Sequence, residues 1–155
     1  MLIYRTVAKK WEIKENLGNH RIIVSVPKGD YVCVTLPWRR RDKGIDNVGV
    51  IVRYNPSGEA GEEAVASAEL KNVHILKADS MECELLMQCP CEGEYEVYYM
   101  PCDYSLETWW FPTVTYYQRK DMKPDKEWLL GYNAALADGR VAKGKAIAYE
   151  SRTEF

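Results

Sequence analysis

The 155-residue chain is short of several things that would announce a function, and each shortage removes a class of explanation. Its formal net charge is only −2, with 21 Lys and Arg against 23 Asp and Glu, so it offers no global attraction to nucleic acid or anionic lipid, and any basic role must be local. No run approaches the roughly 18 apolar residues of a membrane-spanning helix, and Met1 to Trp11 lacks the apolar core of a secretory signal. A soluble cytoplasmic protein with neither a nucleic-acid nor a membrane partner is expected. Five cysteines cannot all pair with one another, which suits a reducing compartment better than a disulfide scaffold. The two histidines, His20 and His74, stand far apart without an evident nucleophile, and His20 reads as a strand-end hydrogen-bonding residue. There is no internal repeat and no low-complexity tract, and Asn55-Pro56-Ser57 is barred from glycosylation by its proline.

What is abundant is period-two alternation from residue 20 to about 118, in short runs separated by turn residues. Ile22, Val24 and Val26 share one face of the first run, and Val32, Val34 and Leu36 share one face of the next. With Lys28-Gly29-Asp30 between them, the two read as a hairpin. Val48, Val50, Val52 and Tyr54 precede an Asn-Pro-Ser-Gly turn signal. The acidic, alanine-rich stretch 59–70 reads as either a short helix or a loop ending in a strand. Strands then follow over "NVHIL", "MECELLMQC", where Met81, Cys83, Leu85 and Met87 alternate, and "EYEVYYMP", where Tyr95, Val97 and Tyr99 oppose Glu94, Glu96 and Tyr98. "WWFPTVTYYQ" is a further strand, made irregular by Pro112. After Gln118 the period changes. Trp128, Leu129, Tyr132, Ala135 and Leu136 fall on helical spacing, with Asp125 as cap, Gly139 as stop and Gly131 weakening the interior by about 1 kcal/mol. "GKAIAYES" returns to the sheet.

Seven or eight strands at this spacing predict an all-β chain: an antiparallel β-sandwich with one short C-terminal helix, forming a single domain over residues 1–155. Eleven Tyr and five Trp against two Phe suit half-exposed sheet faces and contact surfaces.

The residues most open to a functional reading are Trp38, the arginine run Arg39-Arg40-Arg41 with Asp42, Tyr98 and Tyr99, and Trp109-Trp110. On an extended strand Arg39 and Arg41 share a face that Arg40 leaves, so the triplet is a poor phosphate rake. Ion pairing with Asp42 and stacking on tyrosine, bracing a strand end or a domain interface, is the favoured role. Exposed Trp can stack on the apolar face of a sugar ring, but adjacent Trp109 and Trp110 point opposite ways, and core packing already explains their presence. Cys83, Cys89, Cys91 and Cys102 do not repeat a Cys-x2-Cys knuckle, so buried thiols are preferred to zinc. No metal or other cofactor is expected. The carboxylates show no spacing that selects an acid/base pair, and the chain alone is not expected to be an enzyme.

Three patches in order, "GNHRIIVSV" (18–26), "LPWRRRD" (36–42) and "GEYEVYYMP" (93–101), resemble the amino-terminal domain of bacterial glycoside hydrolase family 123-like proteins. The resemblance covers roughly residues 18–118, with 119–155 added to it as the helix and final strand. It implies a non-catalytic β-sandwich that precedes a larger (β/α)-barrel, its partner in cis. It also implies a hexosaminidase context, in which an Asp-Glu pair assists attack by the substrate's own acetamido group. No Asp-Glu dipeptide occurs in these 155 residues, so no catalytic residue carries over and the barrel is expected outside this chain. The alternative is a free-standing carbohydrate-binding module that meets glycans with Trp and Tyr.

Overall fold

The computed structural model describes residues 3–6, 11, 16–18, 20–38, 47–54, 68–105 and 113–151. Two sheets dominate. The larger has six strands in the order β1 (Ile3–Thr6), β12 (Lys145–Ser151), β2 (His20–Val26), β8 (Gly93–Tyr98), β4 (Ile51–Tyr54) and β5 (Ala68–Glu69). The smaller has four, in the order β11 (Ala142–Lys143), β3 (Gly29–Pro37), β7 (Glu82–Cys89) and β6 (Val73–Ala78). A separate ribbon pairs β9 (Cys102–Ser105) with β10 (Thr113–Tyr116). The all-β sandwich is therefore present, antiparallel except where β1 joins β12 and β11 joins β3 in parallel.

The alternation in sequence becomes two apolar inner faces. Ile22, Val24, Val26, Val52, Tyr95 and Val97 from the larger sheet form one cluster with Val32, Val34, Leu36, Cys83, Leu85 and Met87 from the smaller. Burying each such aliphatic side chain is worth about 1.5–3 kcal/mol, so this seam is the main source of stability. The strand faces predicted for β2, β3 and β8 match this burial, apart from Tyr99, which lies just beyond β8 and is half-buried. Met81, assigned to the apolar face of β7, precedes that strand and is exposed.

The first two runs do not form a hairpin. β2 bonds to β12 and β8, whereas β3 bonds to β7 and β11. Both runs have an apolar face to bury. The chain satisfies both by crossing at Pro27 and Lys28 from one layer to the other, so that the two faces meet across the core. A second crossing lies at Gly144, where β11 on one sheet passes directly into β12 on the other. Any Cβ there would press into Val26 and Val34.

The helical segment is interrupted, as α1 (Lys126–Leu130) and α2 (Tyr132–Ala137) around Gly131. Its apolar side lies on the outer face of the smaller sheet, where Trp128 and Ala135 join Tyr31 and Leu86. Leu86 is thus buried although it points away from the main core. Gly139, at φ +69, sits just after the segment, as expected of a stop. The stretch 59–70 ends in strand β5, and residues 59–67 lie outside the described residues.

Candidate functional site: a polar groove at one end of the sandwich

The start of β3 and the end of β7 lie side by side, since Gly29 pairs with Cys89. Beside them run Asn72, just ahead of β6, and Asp125, at the mouth of α1. Two cavities of about 640 and about 820 Å³ open here and share Asp30, Asn72 and Gln88 as walls, so they adjoin along one polar groove.

A chain of hydrogen bonds floors it. Gln88 Nε2 donates to Asp30 Oδ1 at 3.4 Å, and Asn72 Nδ2 donates to Gln88 Oε1 at 2.6 Å. Asn72 Nδ2 also reaches Asp125 Oδ2 at 3.3 Å, while Asn72 Oδ1 accepts the Asp125 N–H at 2.8 Å. Lys71 Nζ closes the chain on Asp125 Oδ1 at 2.6 Å. Asp125 does hold the cap position predicted for it, but its carboxylate makes no capping bond, being engaged by Lys71 and Asn72. Those two contacts hold its carboxyl below the usual range. Beneath the groove Trp128 Nε1 donates to Asp30 O at 2.7 Å and the Tyr31 hydroxyl donates to Trp128 O at 2.6 Å, so the helix mouth and the strand start are pinned together.

The walls carry Lys28, Lys71, Lys126 and Arg140 against Asp30, Glu69, Asp125 and Glu127, four of each sign. Tyr54 adds an aromatic face, its ring stacked on Tyr95 at 5.1 Å. A groove of amides, balanced charges and the aromatic residues Tyr54, Tyr31 and Trp128 can hydrogen-bond an uncharged polyhydroxylated ligand.

The residues singled out from sequence lie elsewhere. Trp38 is 1% exposed, inside the core, with Nε1 donating to Asp79 O at 2.7 Å across the β6–β7 turn. Its ring is enclosed in the core. Tyr98 is buried on the outer face of the larger sheet. It donates to Glu96 Oε2 at 2.7 Å, accepts from Arg21 Nη1 at 3.0 Å and meets Trp11 edge-on at 5.3 Å. Burial, with Glu96 beside it, pushes its hydroxyl pKa well up, and its partners brace it against the sheet. Tyr99 is half-buried between His20 and Tyr149. Arg39, Arg40, Arg41, Asp42, Trp109 and Trp110 lie outside the described residues. Cys83 and Cys89 are buried core side chains, and burial pushes the Cys89 thiol up to about 12, away from the reactive thiolate.

Sequence reasoning missed the groove. Asp30, Asn72, Gln88 and Asp125 are dispersed along the chain, and only Asp30, as a turn residue, and Asp125, as a cap, carried a local signal.

A family model described as "Glycoside hydrolase 123, N-terminal domain" matches residues 9–152. That match takes in the helix and the last strand, beyond the span of 18–118 suggested by the three sequence patches. No curated protein and no solved structure matches the chain.

Proposed function

The chain belongs to the glycoside hydrolase 123 N-terminal domain family, and from that premise we propose that it is a non-catalytic accessory β-sandwich that packs against a catalytic (β/α)-barrel in a hexosaminidase-like enzyme. The observation that carries this reading is the family match across nearly the whole fold, from Lys9 to Arg152. Exposed Leu130 and Leu136 on the helical segment, with Met81 at the β6–β7 turn, are apolar contacts such a neighbour can cover.

The test is co-purification with a separately expressed catalytic barrel of the same family. The expected result is a 1:1 complex that Leu130→Asp weakens, with no hydrolysis of a chromogenic β-N-acetylhexosaminide by the chain alone. Hydrolysis by the isolated chain, or no association with any family barrel, overturns the proposal.

The groove favours a second reading, direct glycan contact. Its balanced charge and the Tyr54 ring suit a neutral oligosaccharide. Calorimetric titration with chito-oligosaccharides tests it: saturable binding lost in Gln88→Ala supports the reading, and no heat at millimolar sugar rejects it.

A further inference from the structure

Arg119 opens a one-turn 3-10 helix, Arg119–Asp121, between the Val48–Gln118 bridge and Met122, which packs on the core. The backbone under it is tied from both sides. Asp121 N–H donates to Gln118 O at 2.9 Å, Met122 N–H to Arg119 O at 3.1 Å, and Gln118 N–H to Asp121 Oδ2 at 2.9 Å. The Tyr117 hydroxyl adds a bond to Asp121 O at 2.9 Å. The side chain therefore projects from a fixed point.

Its head group is left without the partners that such a residue requires. Nε and Nη2 are both closed off from solvent, and neither has a hydrogen-bond partner. Dry, unsatisfied donors on a permanent cation are among the costliest groups a fold can carry, so two on one residue require an explanation. Which two they are is informative. Nε and Nη2 form one edge of the planar guanidinium, with parallel N–H bonds spaced to meet the two oxygens of a single carboxylate.

Among the described residues no carboxylate stands within ion-pair distance of Arg119, and its neighbour Asp121 is turned back onto Gln118. Lys120 and Lys123 on the same segment are exposed and add positive charge. The field of Arg119 reaches His74 on β6, where it adds to burial in lowering the pKa of the ring.

We propose that Arg119 anchors a carboxylate-binding site, its Nε and Nη2 taking both oxygens of one carboxylate while Lys120 and Lys123 attract the anion. Because both nitrogens are covered, whatever lies over them must move aside for the ligand to reach them. The carboxylate can belong to an acidic sugar or to an acidic side chain of a packed protein; both present the same two oxygens. The proposal does not depend on the accessory-domain reading.

The test follows the arginine Nε–Hε signals by NMR while the whole chain is titrated with glucuronate, acetate or chloride at constant ionic strength. The Arg119 signal should move downfield and saturate with both carboxylates and stay still with chloride. Arg119→Lys keeps charge and stem but loses the two-donor edge, and should weaken carboxylate binding about tenfold or more. A clear preference for glucuronate over acetate identifies a sugar as the source; equal response identifies a side-chain carboxylate. An Arg119 signal that ignores carboxylates, that follows chloride equally, or an Arg119→Lys variant that binds as the parent does, overturns the proposal. Arg119→Ala is a supplementary probe, and its failure to fold would leave these readings intact.

Discussion

The outer faces of the two sheets are covered by different means. On the smaller sheet an apolar helical segment lies across Tyr31 and Leu86, with the Trp128 and Tyr31 rings stacked at 5.6 Å and 9°. On the larger sheet a small apolar cluster of Trp11, Leu17 and Tyr98 is combined with a charged network. Glu150, buried, receives Arg5 Nε at 2.6 Å and Arg21 Nε at 2.8 Å, and Arg21 also reaches Glu96 at 3.3 Å. The Arg21 guanidinium lies over the Trp11 ring at 4.6 Å, and Glu96, Tyr98 and Glu150 hold its pKa above the usual value against the opposing effect of burial. Trp11 is fixed by its Nε1 bond to Gly18 O at 2.7 Å. Gly18, at φ +79, passes so close to Met100 O that no side chain fits there. One covering thus draws on buried area, while the other adds to its smaller apolar cluster the mutual satisfaction of charges that are each costly alone.

Removing the centre of each covering should show the contrast. Trp128→Ala deletes the stacked ring and the bond to Asp30, and is expected to cost about 3–5 kcal/mol by urea denaturation, with little dependence on salt. Glu150→Gln leaves Arg21 half-compensated by Glu96 and should cost about 2–4 kcal/mol. A Glu150→Gln loss below that of an ordinary surface substitution would mean that the Arg21 cluster rearranges freely. A Trp128→Ala loss of similar smallness would mean that the helix lid is dispensable.

Gly131 sharpens the helical side of the comparison. Alanine has the better helix propensity by about 1 kcal/mol, yet a Cβ at 131 would collide with the Tyr31 hydroxyl that bonds Trp128 O. Gly131→Ala is therefore expected to destabilise by about 1–2 kcal/mol, and Tyr31→Phe in the same chain should recover part of that loss. A gain in stability for the single variant would show that propensity outweighs the contact.

These coverings differ in how far they can be read from sequence, and for a physical reason. The helix is a local object: Trp128, Leu129, Tyr132, Ala135 and Leu136 repeat within one segment, so periodicity places most of its buried side, although Leu136 at its end turns out exposed. The inner faces of β2, β3, β7 and β8 are legible in the same way, because pleating imposes a period of two. The Arg5–Glu150–Arg21–Glu96 cluster depends on which strands become neighbours, and Arg5 meets Glu150 across 145 positions of chain. No local rule brings those residues together. The expected β2–β3 hairpin failed at the same point, since alternation specifies a face and leaves the partner open. The groove was hidden likewise: Asn72 and Gln88 are ordinary polar residues until β6 and β7 pair. Trp38 invited a surface role by following proline and preceding arginines, but Leu36 already pointed inward and the ring continues into the core.

The two histidines provide the smallest and most direct comparison, one on each sheet. Burial lowers the pKa of His20 on β2, and burial together with Arg119 lowers that of His74 on β6. The folded chain therefore binds fewer protons than the unfolded chain below the unfolded value of about 6.5, and stability should decline as pH falls through that value, levelling once the folded-state pKa is passed. The carboxylates Asp79 and Asp125, held low by Met81 and Glu82 N–H bonds and by Lys71 and Asn72, act in a separate window below pH 4. Urea denaturation between pH 7.5 and pH 5 should show the histidine slope, reduced in His20→Gln and in His74→Gln. Because Arg119 presses on His74 alone, a carboxylate bound at Arg119 should shrink the His74 contribution and leave the His20 contribution unchanged. Equal shrinkage of both would mean that the anion acts on the chain as a whole and not at that arginine.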